Sequence, residues 1–372
     1  MHRSLHCLII LLLAALLCGV PALAQETDGD CLYTLLDEQG QVITMRGGRM
    51  YEGDEYIAGD NRYYRIVSVN DDEQTATAEY LGMAEVDQAA LAAFYGSASA
   101  EEKSKDASNA QKDDSKKLIC MYSTHSDESY VPDDGESSLW ENAGIYDVGN
   151  SLKEELEKQG IQVIYSEESF LPHDAGAYDR SRSTAEELLK KGPDALLDIH
   201  RDAIPAEQYE TTVEGDDISM VRLFVGRSNQ NAAANKAFAQ EIKQVADEEY
   251  PGLIKDIYIG KGNYNQELYP QAILLEFGTH EIEKDKAIGA TEYMAQVLDE
   301  VLYGANAQAE STQAEKKSSA ATGIAWAVGL AVLAAIVYAL ISTGSFKGMW
   351  QKMKRGTSEI TGGIIGDKDR KK

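Results

Sequence analysis

The feature that most constrains this chain is the rhythm of residues 117–304, where strand-length apolar runs alternate with longer segments that carry a helical stripe. Leu118–Tyr122, Ile161–Tyr165, Ala195–Ile199, Val221–Val225 and Ala272–Phe277 are runs of the first kind. Between them, Ile145–Lys158 places apolar residues at 145, 148, 152 and 156, one face of a helix. Ser181–Lys191, Asn231–Tyr250 and Thr291–Leu302 also read as helices, and Gly160 supplies the stop after the first. Strands separated by helices predict an α/β domain with a mainly parallel sheet flanked by helices, because a parallel pair needs a crossover between its strands. No internal repeat interrupts the series.

Upstream the pattern changes. Residues 31–82 are rich in Tyr, Val, Ile and Gly, with turn residues at Glu38-Gln39-Gly40, Gly47-Gly48, Gly59-Asp60-Asn61 and Asn70-Asp71-Asp72. Leu32–Leu36, Val42–Met45, Tyr63–Val69 and Thr75–Leu81 are strand-length and partly alternating. They predict a small all-β module of about six short strands within residues 25–95. The module holds no histidine and no cysteine pair, so no chemistry is assigned to it; docking, regulation and spacing are its open roles. Stretches of Ser, Ala, Lys, Glu and Asp at 96–116 and 305–319 read as linkers on either side of the α/β domain.

Two further apolar segments address location. Residues 1–24 have a short basic start, the run Leu8–Leu17 and an Ala22-Leu23-Ala24 cleavage signature, the marks of a secretory leader. Residues 320–342 are uncharged, long enough to span a bilayer, and followed by Lys347, Lys352, Lys354 and Arg355. The positive-inside rule then places the basic tail 343–372 in the cytoplasm and the body outside, giving a single-pass protein of the cell membrane. The formal net charge is -27. Setting aside the +1 of the first 24 residues and the +5 of the last 30 leaves -33 on the segment between. Such a surface repels phosphate backbones and argues against nucleic acid as a partner. Outside the leader only Cys31 and Cys120 are present, in different expected domains, so no disulfide framework is indicated.

Chemistry in an open α/β sheet collects at the carboxyl ends of the strands. Here Leu118–Tyr122 runs into Ser123-Thr124-His125-Ser126-Asp127-Glu128-Ser129-Tyr130, Ala195–Ile199 into His200-Arg201-Asp202, and Ala272–Leu275 directly into Glu276. An acid at the end of a doubly buried strand is costly unless paired or metal-bound. Two histidines and carboxylates at converging strand ends suit a zinc site with an open position, where the ion would acidify a water and polarise an amide carbonyl. A further carboxylate would carry the proton to the leaving nitrogen.

These residues resemble the stage II sporulation protein P (SpoIIP) family of membrane-bound cell-wall hydrolases. Tyr122–Tyr130 looks like the family's T-H-x-x-E-S-Y segment. The likeness continues through Asp147-Val148-Gly149, His173-Asp174, Ala177-Tyr178, Ser181-Arg182 and Asp198-Ile199-His200-Arg201-Asp202. It then takes in Val225-Gly226, Asn235, Phe238-Ala239, Tyr250–Leu253, Tyr264-Asn265-Gln266 and Glu276-Phe277-Gly278, over about residues 117–304 in one order.

The resemblance implies a zinc-dependent N-acetylmuramoyl-L-alanine amidase fold and activity, with endopeptidase action on cross-links as a further implied reaction. It implies peptidoglycan as substrate and a lytic transglycosylase or another cell-wall protein as partner. Carried over by position, His125 and His200 are zinc ligands and Glu276 the catalytic carboxylate. The third ligand is Glu128 or, by the spacing of amidase relatives, Glu141, with Glu128 favoured. Arg201, His173 and Asp174 are implied substrate-binding or loop-holding residues, and Tyr264-Asn265-Gln266 lies where a cleft wall would. The family often has His where this chain has Ser123, and Asn where it has His280; neither position is an assigned ligand. Relatives are usually held by an N-terminal helix, unlike the C-terminal anchor read here, which bears on a sporulation-specific role more than on the chemistry. Two other functions fit the same residues: an inactive amidase-like module that binds peptidoglycan or a partner, and a zinc amidohydrolase acting on a soluble peptide.

Overall fold

Eleven of the strands among the described residues join a single sheet, in the order β2-β1-β5-β4-β3-β12-β11-β13-β8-β6-β7. The computed structural model describes residues 31–85, 117–174 and 176–304. The expected leader, both linkers, the apolar segment 320–342 and the basic tail lie outside the described residues. Among the described helices none is long and apolar enough to cross a membrane.

The N-terminal strands are β1 (Leu32–Leu36), β2 (Val42–Gly47), β3 (Glu55–Ala58), β4 (Arg62–Asn70) and β5 (Thr75–Met83). The α/β part supplies β6 (Leu118–Tyr122), β7 (Gln162–Tyr165), β8 (Ala195–Asp202), β11 (Val221–Gly226), β12 (Ile254–Gly260) and β13 (Ala272–Thr279). A separate antiparallel hairpin, β9 (Glu210–Val213) and β10 (Asp216–Ser219), stands apart from the sheet. Four helices of more than ten residues are described in the α/β part: α1 (Gly144–Lys158), α2 (Ala177–Leu189), α3 (Ala232–Glu249) and α4 (Lys284–Asp299), with a four-residue helical turn at Val131–Asp134 before them.

From β7 to β12 every neighbouring pair is parallel except β11–β13. The mainly parallel α/β sheet expected from the βα rhythm is therefore present, with one reversal inside it. Among the described residues the N-terminal strands number five. They also extend the same sheet, because β3 pairs antiparallel with β12 from Asp256↔Ala58 to Ile259↔Glu55. β12 escaped the sequence reading because Lys255 and Asp256 interrupt its apolar run, and β3 because it is only four residues long.

Alternate residues of each strand face opposite sides. On one side Met121, Leu197, Leu223 and Leu275 pack beneath α1, α3 and α4, through Val148, Leu152, Phe238, Ile242, Met294 and Leu298. On the other, Leu118, Cys120 and Leu196 meet Ala185 and Leu188 of α2. The N-terminal strands cover the rest of that second side, with Tyr33, Leu35 and Tyr64 in one core with Phe224, Tyr258 and Leu274. The functional side chains described next emerge on this second side, between α2 and the N-terminal strands.

Candidate active site

The loop after β6 is buried throughout from Ser123 to Tyr130, although nearly every residue in it is polar. Buried polar groups need partners, and Asp198 in β8 supplies the first of them. Its Oδ1 accepts the Thr124 amide at 2.8 Å and its Oδ2 the Thr124 hydroxyl at 2.7 Å. Further along, Leu139 N donates to Asp127 O, Ile145 N to Glu128 O, and the Tyr130 hydroxyl to Phe277 O. The loop is fixed between β8, β13 and the start of α1, and it aims His125 and Glu128 into a cavity of about 540 Å³.

Glu128 is the hub. Its Oε1 lies 3.3 Å from His125 Nδ1 and 3.4 Å from His200 Nδ1, while its Oε2 accepts the Arg201 amide at 2.9 Å. The His125 ring stacks on His173 at 4.0 Å between centroids and meets His200 edge-on at 4.9 Å. His173 Nδ1 is 3.0 Å from Asp127 Oδ1. His200 Nε2 comes 3.0 Å from Asp198 Oδ1 but out of line for a hydrogen bond, so this buried nitrogen has no hydrogen-bond partner.

Electrostatics match that crowding. Burial pushes the Glu128 carboxyl up, but the charges of His200 and Arg201 outweigh it and hold the group well below its ordinary range. Burial disfavours charged His200, yet Asp198 and Glu128 outweigh that and raise its pKa well above the ordinary value. One ligand atom each from His125, Glu128 and His173 lie within 4.8 Å of one another, a donor set of nitrogen and oxygen that suits zinc.

Glu276 opens onto the same cavity from β13. Its Oε2 accepts from the Tyr209 hydroxyl at 3.1 Å and lies 3.6 Å from Arg222 Nη1. Burial first, and then the neighbouring Asp202 carboxylate, push its pKa above the ordinary 4.5, with Arg222 opposing.

The remaining expected site residues separate. Glu141 is exposed in the loop before α1 and is not among the cavity-lining residues. Arg201 lines the cavity, but its guanidinium donates to the carbonyls of Ser129, Ser137 and Asp202, so it holds loops together. Asp174 is paired with Arg180 at 2.6 Å and accepts the Gly176 amide just before α2. Tyr264 and His280 line the cavity. Asn265 and Gln266 instead tie their turn to Tyr178 O, Ser181 Oγ and the β11 backbone. Ser123 bonds the Tyr165 hydroxyl at 2.9 Å.

Sequence reasoning missed Asp198 as the anchor of the loop, Tyr209 and Arg222 beside Glu276, and the N-terminal strands as a cavity wall. Cys31, Leu32, Gly47 and Gly48 all line it. A signal did exist for Arg222, since an arginine inside the apolar run Val221–Val225 has to find buried acids.

Comparison with known proteins fits this picture. The sequence pattern of the family described as Stage II sporulation protein P (SpoIIP) matches residues 41–299, more than half of the chain, and the chain belongs to that family. The match begins one residue before β2, so it takes in four of the five described N-terminal strands as well as the motif series from Tyr122 to Gly278. Stage II sporulation protein P of Bacillus subtilis (strain 168) is 28% identical over 222 residues, covering 53% of this chain and 55% of that protein. The chain thus spans about half the length of the curated relative it matches. Among solved structures, the N-acetylmuramyl-L-alanine amidase Ami1 from Mycobacterium smegmatis shares 10% identity with a TM-score of 0.33, over 50% of this chain and 96% of that one. The CwlD amidase from Clostridioides difficile, in complex with the GerS lipoprotein, shares 14% identity with a TM-score of 0.32, over 52% and 99%. At these scores the structural likenesses carry no functional argument.

Proposed function

We propose that the protein is a peptidoglycan hydrolase of the zinc-dependent N-acetylmuramoyl-L-alanine amidase type, with endopeptidase action on cross-links as a second reaction. It acts in cell-wall remodelling during sporulation and is held at the outer face of the cell membrane by residues 320–342. The observation that carries this reading is the meeting of His125, Glu128, His173 and His200 in one cavity with Glu276 opening onto it.

His125, Glu128 and either His200 or His173 would hold the metal. When bound, zinc supplies Lewis-acid polarisation of the amide carbonyl and acidifies a water at neutral pH. Glu276 would accept one proton of the attacking water as the water oxygen adds to the amide carbonyl carbon. The same carboxyl returns the proton to the departing nitrogen as the C–N bond breaks, leaving a lactyl carboxylate and a free stem peptide. A raised Glu276 pKa suits both halves of that exchange, since a base poised near working pH can also give its proton back. Asp127 against His173 is a carboxylate that orients an imidazole.

The test is zinc content together with release of stem peptides from purified peptidoglycan by the purified full chain. About one zinc per chain and released peptides are expected, with both lost in a His125→Ala, His200→Ala double variant. A parent that binds peptidoglycan, holds no zinc and releases nothing would instead be an inactive amidase-like binding module. The proposed location is checked separately. Protease added to intact spheroplasts should remove residues 25–319 and spare 343–372.

A further inference from the structure

We infer that Arg222 is a positioning residue for Glu276, and that strand β2 of the N-terminal half is part of the device that holds it. The inference rests on Glu276 serving as the base of the proposed reaction.

Four residues form a row across the second side of the sheet. Asp256 in β12, Arg222 in β11, Glu276 in β13 and His200 in β8 are successive register partners, so their side chains emerge on one face. Arg222 is fully buried at 0% exposure. Its Nε and Nη2 grip the two oxygens of Asp256 at 2.7 and 3.1 Å, the side-on bidentate geometry that fixes a guanidinium plane. Nη2 also donates to the Met45 carbonyl at 2.9 Å and to Thr44 Oγ1 at 3.3 Å, both in β2. That leaves Nη1 aimed at Asp202 Oδ2, at 2.5 Å, with Glu276 Oε2 3.6 Å away.

Tyr209 closes the arrangement. Its hydroxyl lies 3.0 Å from Asp202 Oδ2 and 3.1 Å from Glu276 Oε2, yet it has one proton to donate. Asp202 has other support, because its Oδ1 accepts the amides of Ala203 and of Gly47, again in β2. Glu276 Oε2 has only Tyr209 and the Arg222 charge among these groups. Without Arg222, the carboxylates of Asp202, Asp256 and Glu276 would face one another with Lys255, bonded to Asp256 at 2.8 Å, and Arg46 as the remaining nearby cations. Like charges so close would turn Glu276 away from its neighbours. Arg222 therefore sets where the Glu276 carboxylate points, and β2 sets where Arg222 points.

The experiment compares the zinc-loaded full chain with Tyr209→Phe, Arg222→Lys and the double variant. Zinc content, kcat and KM on soluble muropeptides, and the Glu276 rotamer in crystal structures are measured for each. Losing a hydrogen bond to a charged group should lower kcat about 10- to 100-fold in Tyr209→Phe. KM should stay within about twofold, because substrate binding is not touched. Zinc should stay bound and the Glu276 carboxylate should be rotated away. The double variant should lose no more than the worse single one, as members of one unit do. Arg222→Lys should lower kcat likewise with Glu276 turned away; parental kcat and an unmoved Glu276 in that variant would overturn the inference, and so would a loss wholly in KM. If Arg222→Lys does not fold, Thr44→Val, which takes one β2 acceptor from Nη2 of Arg222, replaces it, and an unmoved Glu276 at parental kcat there would overturn the inference. A parent that cleaves nothing would remove the amidase reading, and the rotamers would still show whether Arg222 and Tyr209 hold Glu276.

Discussion

Glu276 stands directly opposite His200 in the parallel β13–β8 ladder, so the expected base and an expected metal ligand share one face of the sheet at adjacent strand ends. The pairing register fixes this closeness, and it persists whatever the loops do.

Glu276→Gln is the sharpest test of that placement. The amide keeps the size and one acceptor oxygen, and Tyr209 can still donate to it, so the fold and the zinc content should be unchanged. Loss of a positioned acid–base group should lower kcat about 10²–10⁴-fold. Stem-peptide release and zinc analysis on the same samples check it. A variant that loses its zinc would make Glu276 a ligand and require another base.

The cavity's position is legible in the sequence, because strand ends collect functional groups: His200 and Glu276 each follow an apolar run directly and His125 lies three residues past another. Spacing does not separate Glu128 from Glu141: one lies in a buried loop and the other in an exposed one, and burial of a polar loop depends on distant partners such as Asp198. The join between the two halves was hidden for a related reason. Lys255 and Asp256 look like surface residues until Arg222 and Thr44 are placed against them. Pairing of β3 with β12 links residues about 200 positions apart, which no local pattern records.

Asp127 offers a prediction about the metal. Its carboxylate lies 3.0 Å from His173 Nδ1, which leaves Nε2 of that ring as the free donor. Burial raises the Asp127 pKa, but the bonds from His173 and Ser138 outweigh it and keep the group ionised. Asp127→Asn should weaken zinc binding about 10–100-fold if His173 is a ligand, as loss of an outer carboxylate partner does elsewhere. Competition with a chromophoric chelator measures it. Parental affinity in both Asp127→Asn and His173→Ala would leave the metal to His125, Glu128 and His200.

The buried Arg222–Asp256 pair makes a pH-dependent prediction. Burial pushes the Asp256 pKa up, but Arg222 and then Lys255 outweigh it and hold the group below its ordinary 3.8. A depressed folded-state pKa adds stability that is fully present above the unfolded value and is lost as pH falls toward the folded one. Asp256→Asn removes the bidentate partner of a buried guanidinium, leaving it Asp202, and should cost about 3–5 kcal/mol at pH 7. The difference from the parent should be constant from about pH 7 to 5 and should narrow below about pH 4. Urea denaturation across that range checks it; a gap that widens in acid would reverse the assigned sign.

Gly47 tests the contact between the N-terminal strands and the site by packing alone. A Cβ at this position would come 2.8 Å from the Ala203 Cβ, with the Ala203 backbone at 3.2 Å. Ala203 follows Asp202, whose carboxylate already takes the Gly47 amide, so a methyl group here pushes β2 away from the loop after His200. Gly47→Ala should therefore lose about 1–3 kcal/mol, the usual cost of overpacking a close approach. Ala→Gly at 203 alone should cost about 0.5–1 kcal/mol from chain entropy. In the double variant the two methyl groups no longer collide, so Gly47→Ala, Ala203→Gly should be more stable than the sum of the single effects allows. Denaturation midpoints of the four proteins give that coupling directly. Strict additivity would mean that β2 and the His200 loop do not press on each other, and the route from β2 through Arg222 to Glu276 would lose its mechanical basis.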